Sequence, residues 1–376
     1  MRIRELKTWV VNVPFTTAFQ SSFDRRTGTT RTIIRLETDE GVAGWGETFR
    51  GDATAAIIER HRHLVIGRDP FQLEDLARIL RMTPFFYGYV GYAAIAGIEM
   101  ACWDIIGRTL NVPLASLLGG ASRESVPVTG LVTRALAGSV PQADVPGRLA
   151  EAAAQLVHDH AFGVVKVKGS ADADADVAIV TAIRKRLPGV GLRLDPNAAW
   201  SVSDSIRAAR RLLPLELEYL EDPCPGLEGM ARVRQAVPIP LCTNMCVVRL
   251  EEVAPAVRLG AVDVIHGDVH KWGGIGAVRR LAALCDAFGL GMNLHSGGEL
   301  GISTACHLTV ASVFREIGYA IDSMYYLLAD DVIEQRHTLS DGRIAAPVGP
   351  GLGVSVDAAK LDEAAARHRS DGDLVL

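Results

Sequence analysis

The chain has 376 residues, 48% of them hydrophobic, and 39 Lys and Arg against 44 Asp and Glu give a net charge of −5. That length accommodates two domains, or one large α/β barrel with an appendage. A mildly acidic chain without a Lys/Arg-rich run suits neither nucleic acid nor an anionic membrane surface, so the expected partner is a small molecule.

The opening MRIRELKTWVVNVPF alternates charged and apolar residues as a strand does and lacks the apolar core and cleavage site of a signal peptide, so a cytoplasmic location is expected. RELKTWVVNVPF and TRTIIRLETDEGVAGWGET give three strands, the latter two joined at a DEG turn, with AFQSSFDRRTGTTR as a loop. Helical patterns follow at 52–66, 71–81 and 88–110, the last stopped ahead of Pro113. The most apolar run, YVGYAAIAGIEMACW, carries Glu99 and is shorter than the roughly 18 uncharged residues of a membrane span. These elements, closed by PLASLLGG, form an α+β unit over residues 1–124.

From Ser125 the texture changes to short β-branched runs separated by amphipathic stretches, the alternation of βαβ units. Eight runs read as strands: VPVTGLV, VVKVKGS, GLRLDPN, LEYLEDP, IPLCTNM, VDVIHGD, GMNLHSG and YAIDS. Helical patterns at 147–159, 174–187, 203–213, 250–259, 275–288 and 300–314 lie between them, and no last helix is evident. The fold class is therefore α/β, a modified TIM barrel of (β/α)7β type over 125–328, with 329–376 returning to the first unit through RIAAPVGPGLGVSVD. The six cysteines are scattered without a CxxC pair, as reduced thiols.

Nearly every run ends in polar or ionisable residues, and in a parallel barrel all the carboxyl ends open on one face. Asp195, Glu221 and the amide of Asn244 end three successive strands, so three oxygen ligands can meet on a hard dication, Mg²⁺ fitting best. Taken singly, each acid is more readily a helix cap or a lysine partner; the three in register reverse that and favour the metal. Lys166 and Lys168 are two apart and share one side of their strand. Two adjacent ammonium groups make one proton easier to lose, which suits a base. Asp268 and His295 end strands six and seven; a carboxylate on one imidazole nitrogen fixes the tautomer and frees the other for proton transfer. A metal between a lysine and a histidine suggests removal of a proton next to a carboxylate, with the enediolate stabilised electrostatically.

DPNAAW, YLEDPC, CTNM, HGDVHKWGG and NLHS, together with the capping unit and the GPGLGVSVD tail, resemble the enolase superfamily along essentially the whole chain, and within it the glucarate dehydratase subgroup. Lys or His bases paired with Mg²⁺ are already known for that superfamily. The resemblance implies Asp195, Glu221 and Asn244 as Mg²⁺ ligands, Lys168 as base on one face of the substrate, and His295, oriented by Asp268, as acid/base on the other. It also implies Lys166 at the enediolate and Asn197, Ser296 and Asp322 as substrate-positioning residues. The activity implied is dehydration of an acid sugar or related hydroxy acid to a 2-keto acid by a homo-oligomer, the alternative being a racemase or cycloisomerase acting on a less polar carboxylate.

The departures lie in the capping unit. AFQSSFDRRTGTTR lacks the histidine-containing, substrate-contacting segment expected of a glucarate dehydratase, and PFFYGYVGY is aromatic-rich. KWGGIG and HSGGELG, at helix starts, read as close-approach turns able to hold a substrate carboxylate. HRH and HDH read as surface histidines, since residues two apart on a helix do not face one another. A Schiff-base aldolase and a non-catalytic binding role are the rival functions.

Overall fold

The computed structural model describes residues 1–374, except for the side chains of Thr83, Pro84 and Phe86. The alternation at the amino terminus builds an antiparallel sheet in the order β1 (Ile3–Gln20), β2 (Arg25–Thr38), β3 (Ala43–Phe49). The segment expected to be a loop is the continuation of β1 and β2: after a register shift beyond Pro14 the pairing runs on to Phe19↔Arg26 and Gln20↔Arg25. β-Branched threonines at 16, 17, 27, 29 and 30 favour the pleat, and residues 21–24 suffice for the turn, closed by Ser21 N–H on the Asp24 carbonyl at 2.8 Å. Polar composition had disguised a hairpin as a loop.

Behind the sheet pack the helices Gly51–Arg60, Leu73–Leu80 and Thr83–Leu110. Gly88, at φ 53 and ψ −129, interrupts the last of these where the sequence pattern begins, and Asn111 in the left-handed region ends it ahead of Pro113. By length and composition Tyr87–Leu110 could cross a membrane, but 83% of its apolar window is buried inside the protein. Strand β2 shows why the unit has two faces. Ile33 joins a core shared with barrel residues such as Val128, while its neighbour Ile34 joins a second core with Ile95 and Ile98 of the long helix.

All eight expected runs are strands: β4 (Ser125–Val132), β5 (Val164–Lys168), β6 (Gly191–Asp195), β7 (Tyr219–Glu221), β8 (Leu241–Thr243), β9 (Val264–His266), β10 (Gly291–Asn293) and β11 (Ile321–Asp322). They pair in parallel in chain order from β4 to β10. β11 pairs back onto β4, and Asp322 N–H reaches the Leu294 carbonyl at 3.0 Å, closing the barrel. Seven helices of ten residues or more intervene, among them Leu227–Ala236, missing from the sequence pattern, and a short one, Val269–Trp272, follows β9. Only a 3₁₀ turn, Tyr325–Leu327, follows β11. Beyond it β12 (Leu339–Ser340) and β13 (Arg343–Ala345) form a hairpin whose second strand pairs antiparallel with the start of β4, so this part of the tail lies on the barrel. The helix Ala358–Asp371 then reaches the first sheet, where the Asn12 amide donates to the Gly372 carbonyl at 2.6 Å.

The two glycine-rich turns bind carboxylates, but not a substrate's. Glu47 of β3 accepts from Leu300 N–H (2.9 Å) and Ser303 N–H (2.8 Å) at the start of helix Gly301–Val313. Glu99 of the long helix accepts from Gly276 N–H at 3.0 Å at the start of Ile275–Phe288. A Cβ on Gly274 would lie 1.7 Å from Glu99 Oε2, so that turn is glycine because the capping glutamate comes so close. Both anion sites are filled by the capping unit itself.

Burial pushes the Glu99 carboxyl up to about 7 despite these amides. A folded value above the unfolded one means that its favourable contribution is complete below about pH 4.5 and is lost as pH rises through about 7, a term of order 3 kcal/mol. Glu99→Gln should therefore gain stability relative to the parent between pH 5 and pH 8, measured by urea unfolding; a difference flat with pH would refute the assignment.

Candidate active site

The carboxyl ends of the barrel strands and the β1–β2 hairpin enclose one cavity of about 540 Å³. Eight of the ten residues singled out from the sequence line it: Lys166, Lys168, Asn197, Asn244, Asp268, His295, Ser296 and Asp322. Asp195 and Glu221 are fully buried and joined to that wall through the lysines.

Lys166 is the hub. Its ammonium lies 2.6 Å from Glu221 Oε2, 2.6 Å from Asp322 Oδ2 and 3.2 Å from Asp195 Oδ2, with the residue 1% exposed. Burial disfavours its charge, but Asp322, Glu221 and Asp195 outweigh burial and hold the ammonium well above the usual lysine range. The expectation that the paired lysines ease proton loss thus fails for Lys166: three carboxylates, not Lys168, dominate its field. Lys168 donates to Asp195 Oδ2 at 2.5 Å and to Asn197 Oδ1 at 3.3 Å. Asn197 and Ala198, following β6, are held in the left-handed region (φ 53 and 58), and Asp222, following β7, at φ 37. Such strain is typical of functional loops and turns these chains across the barrel mouth.

Glu221 also receives His266 Nε2 at 3.1 Å; burial raises its pKa, but His266 and Lys166 hold it well below the ordinary range. Its other oxygen accepts from the Asn244 amide nitrogen, while Asn244 Oδ1 accepts from Lys271 at 3.1 Å. Two carboxylates within 3.2 Å of one cationic nitrogen are close enough to share a dication. An amide turned by 180° would present oxygen beside them, and the two ends of an amide are assigned only from their neighbours. Two carboxylates and an amide oxygen form a hard donor set, so these residues fit Mg²⁺.

Across the mouth, His295 Nδ1 lies 3.0 Å from Asp268 Oδ2, while Asp268 Oδ1 accepts from His270 N–H at 2.8 Å. Burial and then Lys271 push His295 down to about 4 against the pull of Asp268, so at neutral pH the ring is neutral, carries its proton on Nδ1 and leaves Nε2 free. Asp268 itself is held well below the carboxylate range: burial works against its charge, and His295 and His270 overcome burial. Ser296 Oγ donates to Glu299 at 2.5 Å and accepts from Met324 N–H at 3.2 Å.

Sequence reasoning missed Lys271, a partly buried cation on the cavity wall with no carboxylate at ion-pair distance among the described residues, and His266 behind Glu221. His266 precedes Asp268 by two, the same spacing that singled out Lys166 and Lys168. It also read as a loop the hairpin whose Phe19, Ser21, Phe23, Arg26, Thr29 and Thr30 face the cavity. Of the aromatic-rich segment, Tyr89 and Val90 face the cavity too, whereas the side chains of Pro84 and Phe86 lie outside the described residues.

Removing Lys166 would leave three buried carboxylates without their shared cation. Lys166→Met should lose about 3–5 kcal/mol of stability in urea denaturation, and a variant as stable as the parent would show that the carboxylates do not depend on it.

Comparison with known proteins adds independent findings. Residues 3–119 match the family model "Mandelate racemase / muconate lactonizing enzyme, N-terminal domain", and residues 148–360 match "Enolase C-terminal domain-like". A Streptomyces coelicolor protein named "Probable glucarate dehydratase" is 35% identical over 89% of this chain and 84% of its own length. Identities of 27% and 26% relate the chain to a D-galactarolactone cycloisomerase of Agrobacterium fabrum (96% of this chain, 98% of that one) and an N-succinyl-L-Arg/Lys racemase of Bacillus cereus (83% and 84%). The crystal structure of a Streptomyces coelicolor enolase solved without Mg superposes with a TM-score of 0.98 at 57% identity, covering 100% and 99% of the two chains. An enolase from Thermobispora bispora, complexed with magnesium and formate, superposes at 0.90 with 32% identity over 99% and 94%.

Proposed function

We propose, from the premise that this chain belongs to the mandelate racemase and muconate lactonizing enzyme family of the enolase superfamily, that it is a Mg²⁺-dependent lyase removing the proton α to a carboxylate and dehydrating a hydroxy acid of the acid-sugar type to a 2-keto acid. One observation carries the reading: neutral His295, oriented by Asp268, and Lys168 share one cavity with the Lys166 ammonium beneath it. In the residue roles proposed here, Asp195, Glu221 and Asn244 would hold Mg²⁺, which would supply positive charge to the substrate carboxylate.

The remaining steps belong to side chains. Asn197, Ser296 and Asp322 position the substrate. His295 Nε2 takes the α-proton, the electron pair of that C–H bond moves into the carboxylate, and the enediolate is held by Lys166. As the pair returns to form the C=C bond, the β C–O bond breaks and the proton on His295 leaves with the hydroxyl as water; the enol then becomes the 2-keto acid. Lys168 performs the abstraction for the opposite α-configuration. On a substrate without a β-hydroxyl the same two-faced site would act as a racemase or cycloisomerase, and the wall of Phe19, Phe49, Tyr89 and Leu131 favours that second reading for a less polar acid.

At the outer end of the cavity stand Arg26 and Arg50, their guanidiniums over the rings of Phe19 and Phe49 at 5.7 Å each. Arg26 pairs with Asp24, whereas Arg50, at φ 75, forms no ion pair among the described residues. An unpaired guanidinium on the wall supports a hydroxy acid whose far end is polar or anionic.

Incubated in D₂O with a panel of sugar mono- and diacids, the enzyme should form 2-keto acids and exchange α-hydrogen, lose both activities with EDTA and regain them with Mg²⁺. His295→Asn should lower dehydration about a hundredfold or more. Borohydride trapping of a substrate adduct with indifference to EDTA would establish the aldolase instead. Arg50→Met should raise KM about tenfold for a diacid, with kcat and monoacid kinetics little changed; equal effects on both acid classes would remove Arg50 from recognition.

A further inference from the structure

Arg31 of β2 is wholly buried where the capping sheet meets the barrel. Its Nε donates to Glu47 Oε1 at 2.7 Å and its Nη2 lies 2.9 Å from His270 Nε2. A guanidinium only donates, so His270 Nε2 must accept, and the ring is neutral with its proton on Nδ1. Burial and Arg31 push His270 down to about 3, and the charged or titratable groups around it are Arg31, Asp268, His307 and Glu299. The edge of Phe49 from β3 abuts the ring at a centroid distance of 5.6 Å.

His270 is therefore fastened at two points. Its ring is held from the capping sheet, and its backbone N–H holds Asp268 Oδ1 at 2.8 Å. The other oxygen of that carboxylate orients His295. Glu47, the second partner of Arg31, holds Leu300 N–H and Ser303 N–H, in the chain just beyond His295. One guanidinium–carboxylate pair of the cap thus fastens both loops that carry the Asp268–His295 pair. Lys166 and Lys168, on β5, have no bond to any of these groups among the described residues.

We propose that Arg31 and His270 are positioning residues that make the orientation of the Asp268–His295 pair depend on docking of the capping sheet. Cap docking then governs proton transfer on one face of the substrate and leaves the Lys168 face alone. Assigning His295 to a face rests on the function proposed above; the state of its ring does not.

The test uses His270→Phe, which removes the acceptor while keeping the Arg31–Glu47 pair, and His270→Gln, whose amide oxygen restores the acceptor. With α-epimeric hydroxy acids in D₂O, His270→Phe should lower exchange on the His295 face by about ten- to a hundredfold, as loss of an orienting neighbour does elsewhere. Exchange on the Lys168 face should stay within about threefold, and His270→Gln should recover most of the loss. ¹⁵N spectra of histidine-labelled protein should show His295 as a single Nδ1–H tautomer in the parent and the Gln variant, and as a mixture in the Phe variant. Equal loss on both faces, or an unchanged His295 tautomer in folded His270→Phe, would overturn the proposal. If that variant does not fold, Arg31→Lys, which keeps a charge at Glu47 but cannot reach both partners, must show the same face-selective loss and tautomer mixture, and an unaltered ratio there overturns it equally. Should the parent exchange no acid at all, the proposed function fails while the tautomer measurement still decides the positioning role.

Discussion

The site is organised around a cation where a barrel would ordinarily place aliphatic side chains. Lys166 sits in the interior with carboxylates on three sides, and it is the one cation all three share, offsetting much of the cost of burying them together. This arrangement holds Asp195, Glu221 and Asp322 within one hydrogen-bond shell although they come from β6, β7 and β11. The same contacts hold the ammonium well above the usual lysine range. Beneath it Arg193 repeats the device, donating to Glu218 at 2.7 Å and Thr129 at 2.9 Å and approaching Asp322 at 3.5 Å.

The capping unit is bound to the barrel by a second use of the same electrostatics. Glu47 and Glu99 each place a carboxylate on the amides that begin a barrel helix, and Glu47 adds the Arg31 guanidinium. Apolar packing through Val11, Val13 and Ile33 supplies area without direction; the glutamates supply direction, because an amide pair accepts a carboxylate in few orientations. The hairpin over the cavity therefore stands at a fixed height above the strand ends, and the cap contributes both a wall and a constraint on the loops below it.

Most of the barrel was legible because its signal is local. Short β-branched runs ending in Asp, Glu, Asn or His mark both a strand and the open face at its end, and eight such runs became eight strands. Asp195, Glu221, Asp268 and His295 could be placed for that reason. What escaped was non-local. Lys166 reads from sequence as one of two repelling cations, and only closure of β11 onto β4 brings Asp322 to it. Glu47 and Glu99 look like ordinary strand and helix residues until the two units dock. Gly274 looks like an anion turn, correctly, but nothing local says whose anion. His266 and Lys271 lay in a quoted motif and went unread because one sits behind Glu221 and the other is turned toward Asn244. The hairpin was lost to composition, since threonine and arginine strands at a cavity mouth resemble loops.

For the dehydration proposed above, the protonation of His295 constrains the order of the steps. A histidine held near 4 by burial and Lys271 is a neutral acceptor before substrate arrives and has no proton to give a leaving hydroxyl. If it is the acid of the proposed second step, it must first have been the base, so abstraction and departure would take place on one face and the proton removed would be the proton delivered. Lys271 favours this order, since its field expels a proton that His295 would otherwise hold at rest, and Asp268 opposes it through the bond to Nδ1. In the proposed reaction, burial, helped by Lys271 against Asp268, is what sets His295 to start as the base.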